Sequence, residues 1–167
     1  MSATDAGSAG FDPAAQAATP RIAFRPHRVL PWLLLPDGMP LQVLIDTAAV
    51  RVPNTRPWFQ GVVSQRGHLL PVFDLAAWAG LPAEDDGHPQ IVAIGLGTQA
   101  CAMLCAAAPT LLTVGLQTPP TTEDGALSPF LGSTYSSAIG RACEFDIQRG
   151  LATAAQQISG NTAARAP

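Results

Sequence analysis

Three clusters of residues in this chain have types and spacings that can do chemistry. The first is "IVAIGLGTQA" (91–100), a strand-like run that ends in Gly95, Gly97 and Ala100 as G-x-G-x-x-A, with an alanine-rich stretch after it. In a dinucleotide-binding βαβ unit, that order lets backbone amides approach a pyrophosphate. The second is "CAMLC", which puts Cys101 and Cys105 on one face whether the segment is strand or helix. Two such thiols can be half of a metal site. The third is Arg66, one cation in a Gln-Arg-Gly-His corner between two apolar runs, "FQGVVSQ" and "HLLPVF". An arginine at an exposed corner either bonds loop carbonyls or meets a partner, and the residue type suits both roles.

Each enzymatic reading has a specific shortfall. After the glycine pair, the next strand-like run ends at Val114 without an acid to hold a ribose. The nearest acids, Glu123 and Asp124, lie beyond a Pro-Pro loop. A hairpin turn at 97–99 is the plainer account of the glycines. A small dinucleotide-binding enzyme built on Gly95-x-Gly97-x-x-Ala100 therefore stands as the alternative reading. Zinc needs four ligands, and His27, His68 and His88 fall in no paired spacing, so the two thiols read as small buried hydrophobes. No nucleophile elbow, zincin helix or phosphate loop is present. The expectation is no enzyme, no catalytic residue, no metal and no cofactor.

The elements that position these residues are short. Sixteen prolines and fifteen glycines cut the 167 residues into pieces too brief for long helices. Strand-like runs fall at 21–24, 32–36, 41–45, 50–53, 59–65, 68–73, 90–96 and 110–116. That spacing indicates a β sandwich or barrels. Asp74 is placed to cap a short helix at 75–79 that Gly80 ends, and a second helix fits 147–158. Residues 59–75 read as a hairpin. Gly67 supplies the positive φ at its corner, and Pro71 directs the return strand to an edge or a bulge. Gly61 leaves room for Trp58 or a neighbouring backbone to close over it.

Composition excludes some partners. The chain is 47% hydrophobic and 13% charged, with a net charge of −3, nine arginines and no lysine. It has no basic stripe for phosphates, so no nucleic acid is expected. Between Pro89 and Thr122 no residue is formally charged, yet Gly95, Gly97, Gln99 and Pro109 interrupt the run, which argues against direct membrane insertion. Residues 1–20 lack the basic and apolar regions of a signal peptide and read as a disordered tail. With an odd number of cysteines, that indicates a cytoplasmic protein with reduced thiols. Residues 158–167 read as a loose C-terminal tail.

Residues 57–81, "PWFQGVVSQRGHLLPVFDLAAWAGL", resemble the signature of the CheW-like domain family: a P-x-W-F-x-G-V, an N-x-R-G corner, an apolar run P-V-x-D-L and a closing L-G-L. The lead-in over 33–58, "PQIVAIGLGTQACAMLC" (89–105) and "ACEFDIQRGLA" (142–152) extend the resemblance over 21–157. Within the family, the lead-in and tail are most like the adaptors of systems that control type IV pili. The resemblance implies a mainly β fold of two small five-stranded SH3-like β-barrel subdomains with short helices. It also implies a non-enzymatic signalling adaptor. Such an adaptor couples methyl-accepting chemoreceptor signalling tips to a CheA-type histidine kinase in a bacterial chemosensory pathway. By position, Arg66 is the family arginine, Gly67 its turn glycine and Asp74 the acid of P-V-x-D-L. The expected partner-binding residues are Arg66, Gly67, Trp58, Phe59, Val62 and Asp74, with core packing weighed as the other role of Trp58. The chain departs from the family at Ser64, where asparagine is preferred, and at Ala106, where an acid is.

Overall fold

A computed structural model describes residues 20–84, 88–119 and 122–163. The expected N-terminal tail lies outside the described residues except for Pro20. Among the described residues, eleven strands run as β1 Arg21–Arg25, β2 Trp32–Leu34, β3 Leu41–Leu44, β4 Phe59–Gln65, β5 His68–Phe73, β6 Gln90–Ile94, β7 Cys101–Cys105, β8 Ala107–Leu112, β9 Val114–Thr118, β10 Leu131–Ser137 and β11 Ala142–Phe145. Two helices accompany them, α1 Leu75–Trp78 and α2 Ile147–Ala163. The fold is mainly β, in two small units.

One sheet has the order β8-β1-β2-β11-β10-β9, six strands where the resemblance implied five; the other has five, β3-β6-β7-β5-β4. Only Thr113 separates β8 from β9, yet these strands flank opposite edges of the six-stranded sheet. That sheet therefore curls strongly, its two edge strands joined through one residue but not paired with each other, an SH3-like arrangement without full closure.

The period-2 alternation of side chains divides the buried residues into three layers. Val63, Leu70, Val72, Ile91, Ala93 and Ala102 fill the five-stranded unit, while Ala23, Trp32, Leu34, Leu112 and Ala142 fill the other. Between the sheets lies the largest cluster, where Phe24, Leu33 and Phe145 meet Val92, Ile94, Cys101, Met103 and Cys105. Ile147 and Ala154 of α2 join that central layer. Asp146 starts α2 by accepting a hydrogen bond from the Arg149 amide at 3.0 Å. The helix then continues to Ala163, past the boundary at 158 read from the sequence.

Three local expectations differ from the structure. The run 50–53 is no strand: Val50 alone bridges to Val62, and Pro53 follows before a second pair can form. Strand β10, "LGSTYSS", escaped the sequence reading because most of its residues are small and polar. Pro71 sits on β5, which is interior, between β7 and β4. Its missing amide is tolerated because the pairing of β5 with β7 begins only at Val72.

A candidate partner-binding hairpin

Strands β4 and β5 pair antiparallel from Gln65↔His68 down to Phe59↔Phe73. Arg66 and Gly67 form the corner, with φ of 49° and 84°. Positive φ at both central residues defines a type I′ turn, whose twist matches that of the flanking strands. Gly67 adopts it freely, whereas Arg66 holds a left-handed conformation that strains any side chain. Arg66 is exposed and makes no hydrogen bond or ion pair among the described residues. The loop-bonding role weighed for it is absent from this geometry.

Gly61 has φ of 121°, and a Cβ there would lie 2.0 Å from the Val50 carbonyl oxygen. The neighbouring backbone that closes over Gly61 is therefore Val50–Arg51. Val50 and Val62 exchange two backbone hydrogen bonds, of 2.8 and 3.0 Å. This close approach pins the lead-in segment to the edge of β4.

The base of the hairpin is aromatic. Trp58 is buried, stacked on Trp78 with centroids 4.8 Å apart and on Phe73 at 6.2 Å. Its packing is that of a core residue, the other role weighed for it. The Asp74 amide donates to the Trp58 carbonyl at 2.8 Å, and Asp74 Oδ1 accepts from the Ala77 amide at 3.0 Å, capping α1. Phe59 and Val62 are half-buried.

The structure thus brings Arg66, Gly67 and Val62 to one exposed hairpin and sets Trp58 and Asp74 beneath it. Sequence reasoning missed Leu69, which is 71% exposed just past the corner. With Phe59, Pro71 and Phe73 it lines an open groove of about 650 Å³, closed on its far side by Leu151, Ala155 and Ile158 of α2. The signal was available: Leu69 alternates with Leu70 and Val72 and so faces away from their layer.

The other candidate chemistry resolves into structure. Strands β6 and β7 pair antiparallel through a short turn at Gly97–Gln99, so Gly95 and Gly97 belong to a hairpin and not to a βαβ crossover. That overturns the dinucleotide-binding alternative. Burial pushes the Cys101 and Cys105 thiols up to about 12, which keeps them protonated and unreactive. His27 is buried, with Nδ1 accepting from the Val29 amide at 3.3 Å and Nε2 facing the Pro82 carbonyl at 3.2 Å. Ala106 is exposed where β7 turns into β8, beside a cavity of about 210 Å³ lined also by His27, Asp74, Glu84 and His88. Among the described residues, no helix is long and apolar enough to cross a membrane.

Residues 42–135 match the CheW-like domain family. Among solved structures, the chain is similar to the scaffolding protein TtCheW from Thermoanaerobacter tengcongensis, with a TM-score of 0.60 and 16% identity, over 77% of this chain and 88% of that one. No curated protein matches the chain in sequence.

Proposed function

This chain belongs to the CheW-like domain family, and from that membership we propose that it is a non-catalytic adaptor of a bacterial chemosensory pathway. It holds methyl-accepting chemoreceptor signalling tips and a CheA-type histidine kinase in one cytoplasmic assembly, so that kinase activity follows receptor state. The supporting observation is the corner itself: Arg66 stands exposed and unpaired on a hairpin fixed from below by Trp58 and from the side by Val50. An unengaged guanidinium is suited to association, because the hairpin backbone that carries it is already ordered and only the side chain has to be fixed on binding. Arg66 and the half-buried Phe59 and Val62 supply contacts. Gly67 shapes the corner, and Trp58 and Asp74 hold it in place.

The pathway served is the one that controls type IV pili and twitching motility, a placement that rests on the lead-in and tail sequences. The test is co-sedimentation of the purified chain with receptor-containing membranes and kinase. Arg66→Ala is expected to weaken recovery while the circular dichroism spectrum is unchanged. Full recovery of the variant would remove Arg66 from the contact surface. Deleting the gene should impair twitching and leave swimming intact; the opposite phenotype refutes the pilus assignment.

A further inference from the structure

The five-stranded sheet ends in β3 on one side and β4 on the other, yet these strands approach each other at one end. Gln65 of β4 donates through Nε2 to Gln42 Oε1 of β3 at 2.8 Å. The sheet is therefore curled, and the alternation of side chains along each strand decides what faces its inside. Val63, Leu70, Val72 and Ala93 belong to the inner apolar layer. Gln65 lies two residues after Val63, His68 lies two before Leu70, and Gln42 is the cross-strand partner of Ala93. These three polar residues thus share the inner face and form the next layer out, at the open end of the unit.

That end holds a cavity of about 450 Å³. Its floor is Leu70 and Ala93, only 2% and 4% exposed, with Ala100 beside them. Arg66 stands at the lip. The opposite rim is fixed by the Gly95 amide, which donates to the Pro40 carbonyl at 3.0 Å. Apart from the bond between the two glutamines, the side chains of Gln42, Gln65, Arg66 and His68 have no hydrogen-bond partner among the described residues. No acid is among the described residues that line the cavity. These features select a ligand class. A cation would meet Arg66 and no carboxylate. A polyphosphate needs several cations, whereas one guanidinium holds one carboxylate through two parallel hydrogen bonds. The apolar floor suits the rest of such a molecule, and the volume falls within the range of small-molecule pockets.

We propose that the mouth of the five-stranded unit is a binding site for a small organic acid with an apolar body. The carboxylate meets Arg66 and His68, the body rests on Leu70, Ala93 and Ala100, and the two glutamine amides orient it. The site goes beyond the adaptor reading and does not depend on it; the two share Arg66.

The test uses the full chain, isotope-labelled for amide NMR, titrated with phenylacetate, an acid of about ten heavy atoms. A ligand of that size reaches a dissociation constant of about 1 mM at ordinary efficiency. The amides of Gln42, Gln65 and Ala93 are expected to shift together and to saturate. Phenylacetamide, which keeps the shape and loses the charge, should bind at least about twofold more weakly, and acetate, which lacks the ring, at least about tenfold. Arg66→Gln and His68→Ala change exposed residues and should leave the circular dichroism spectrum as it is. Each should weaken phenylacetate about two- to fivefold. A titration that shows no saturation by about 20 mM overturns the site. So does binding that the double variant leaves unchanged, or a shift confined to Leu151 and Ile158, which would put the probe in the groove beside Leu69. A blocked Gly-Glu-Gly peptide that saturates the same amides more tightly than phenylacetate would make the mouth a protein contact and overturn the small-molecule assignment. If phenylacetate fails while Arg66→Ala still loses the kinase, the mouth site is wrong and the adaptor reading stands. If phenylacetate binds as described but the chain recruits neither kinase nor receptor, the mouth site stands and the adaptor reading falls.

Discussion

Replacing Gly61 with alanine tests how the lead-in segment is held against the hairpin. The new Cβ would stand 2.0 Å from the Val50 carbonyl oxygen, 2.7 Å from its carbon and 2.9 Å from the Arg51 Cα. All three are backbone atoms and cannot swing aside. The segment must move outward, which removes the two hydrogen bonds between Val50 and Val62, each worth about 1 kcal/mol net. The φ of 121° adds a strain of about 1 to 2 kcal/mol for any residue with a Cβ. Gly61→Ala should therefore cost about 3 to 4 kcal/mol, a fall of about 10 °C in melting temperature for a chain of this size. Gly67→Ala is the control. Its φ is also positive, at 84°, but nothing lies within 4 Å of the added Cβ, so only the strain of about 1 to 2 kcal/mol should register. Urea titration of both variants reads the difference. Equal losses would show that the contact with Val50 contributes nothing.

Arg66→Asn should raise stability by up to about 1 kcal/mol, because asparagine tolerates the left-handed corner better than arginine, while partner recovery falls; a loss of both would mark the arginine as structural. Burial pushes the Glu144 carboxyl up, but the hydrogen bond from Arg21 at 2.9 Å and its charge, with bonds from Ser133, outweigh that and hold it below its ordinary value. A lowered folded-state value means stability present above about pH 4.3 and lost as pH falls through the folded value. Glu144→Gln should therefore flatten the acid limb of a plot of urea midpoint against pH, and an unchanged limb would refute the linkage. Cys101, Cys105 and Cys143 are all buried, so a thiol reagent at pH 8 should react with none of them in the native protein and with all three in denaturant. Rapid native labelling of any one would contradict the packing.

What the sequence made legible follows from how local the deciding physics is. The β4–β5 hairpin was readable to the residue because Arg66-Gly67 is a two-residue corner between runs of alternating burial, and the turn sets the register. Asp74 as the cap of α1 and the turn at Gly97–Gln99 were equally local. What stayed hidden depends on distant partners. Strand β10 pairs through Thr134 and Tyr135 with both β9 and β11, and its small polar residues carry little strand signal of their own. The groove beside Leu69 needs α2, which arrives from the far end of the chain.

The three-layer core explains why the two small units form one packed body. Each small unit encloses only a modest set of apolar side chains, and the central layer that joins the two sheets is the largest. Separating the units would expose Phe24, Leu33, Phe145 and Met103 together, so the two move as one body. The stacked Trp58, Trp78 and Phe73 carry that order to the base of β4.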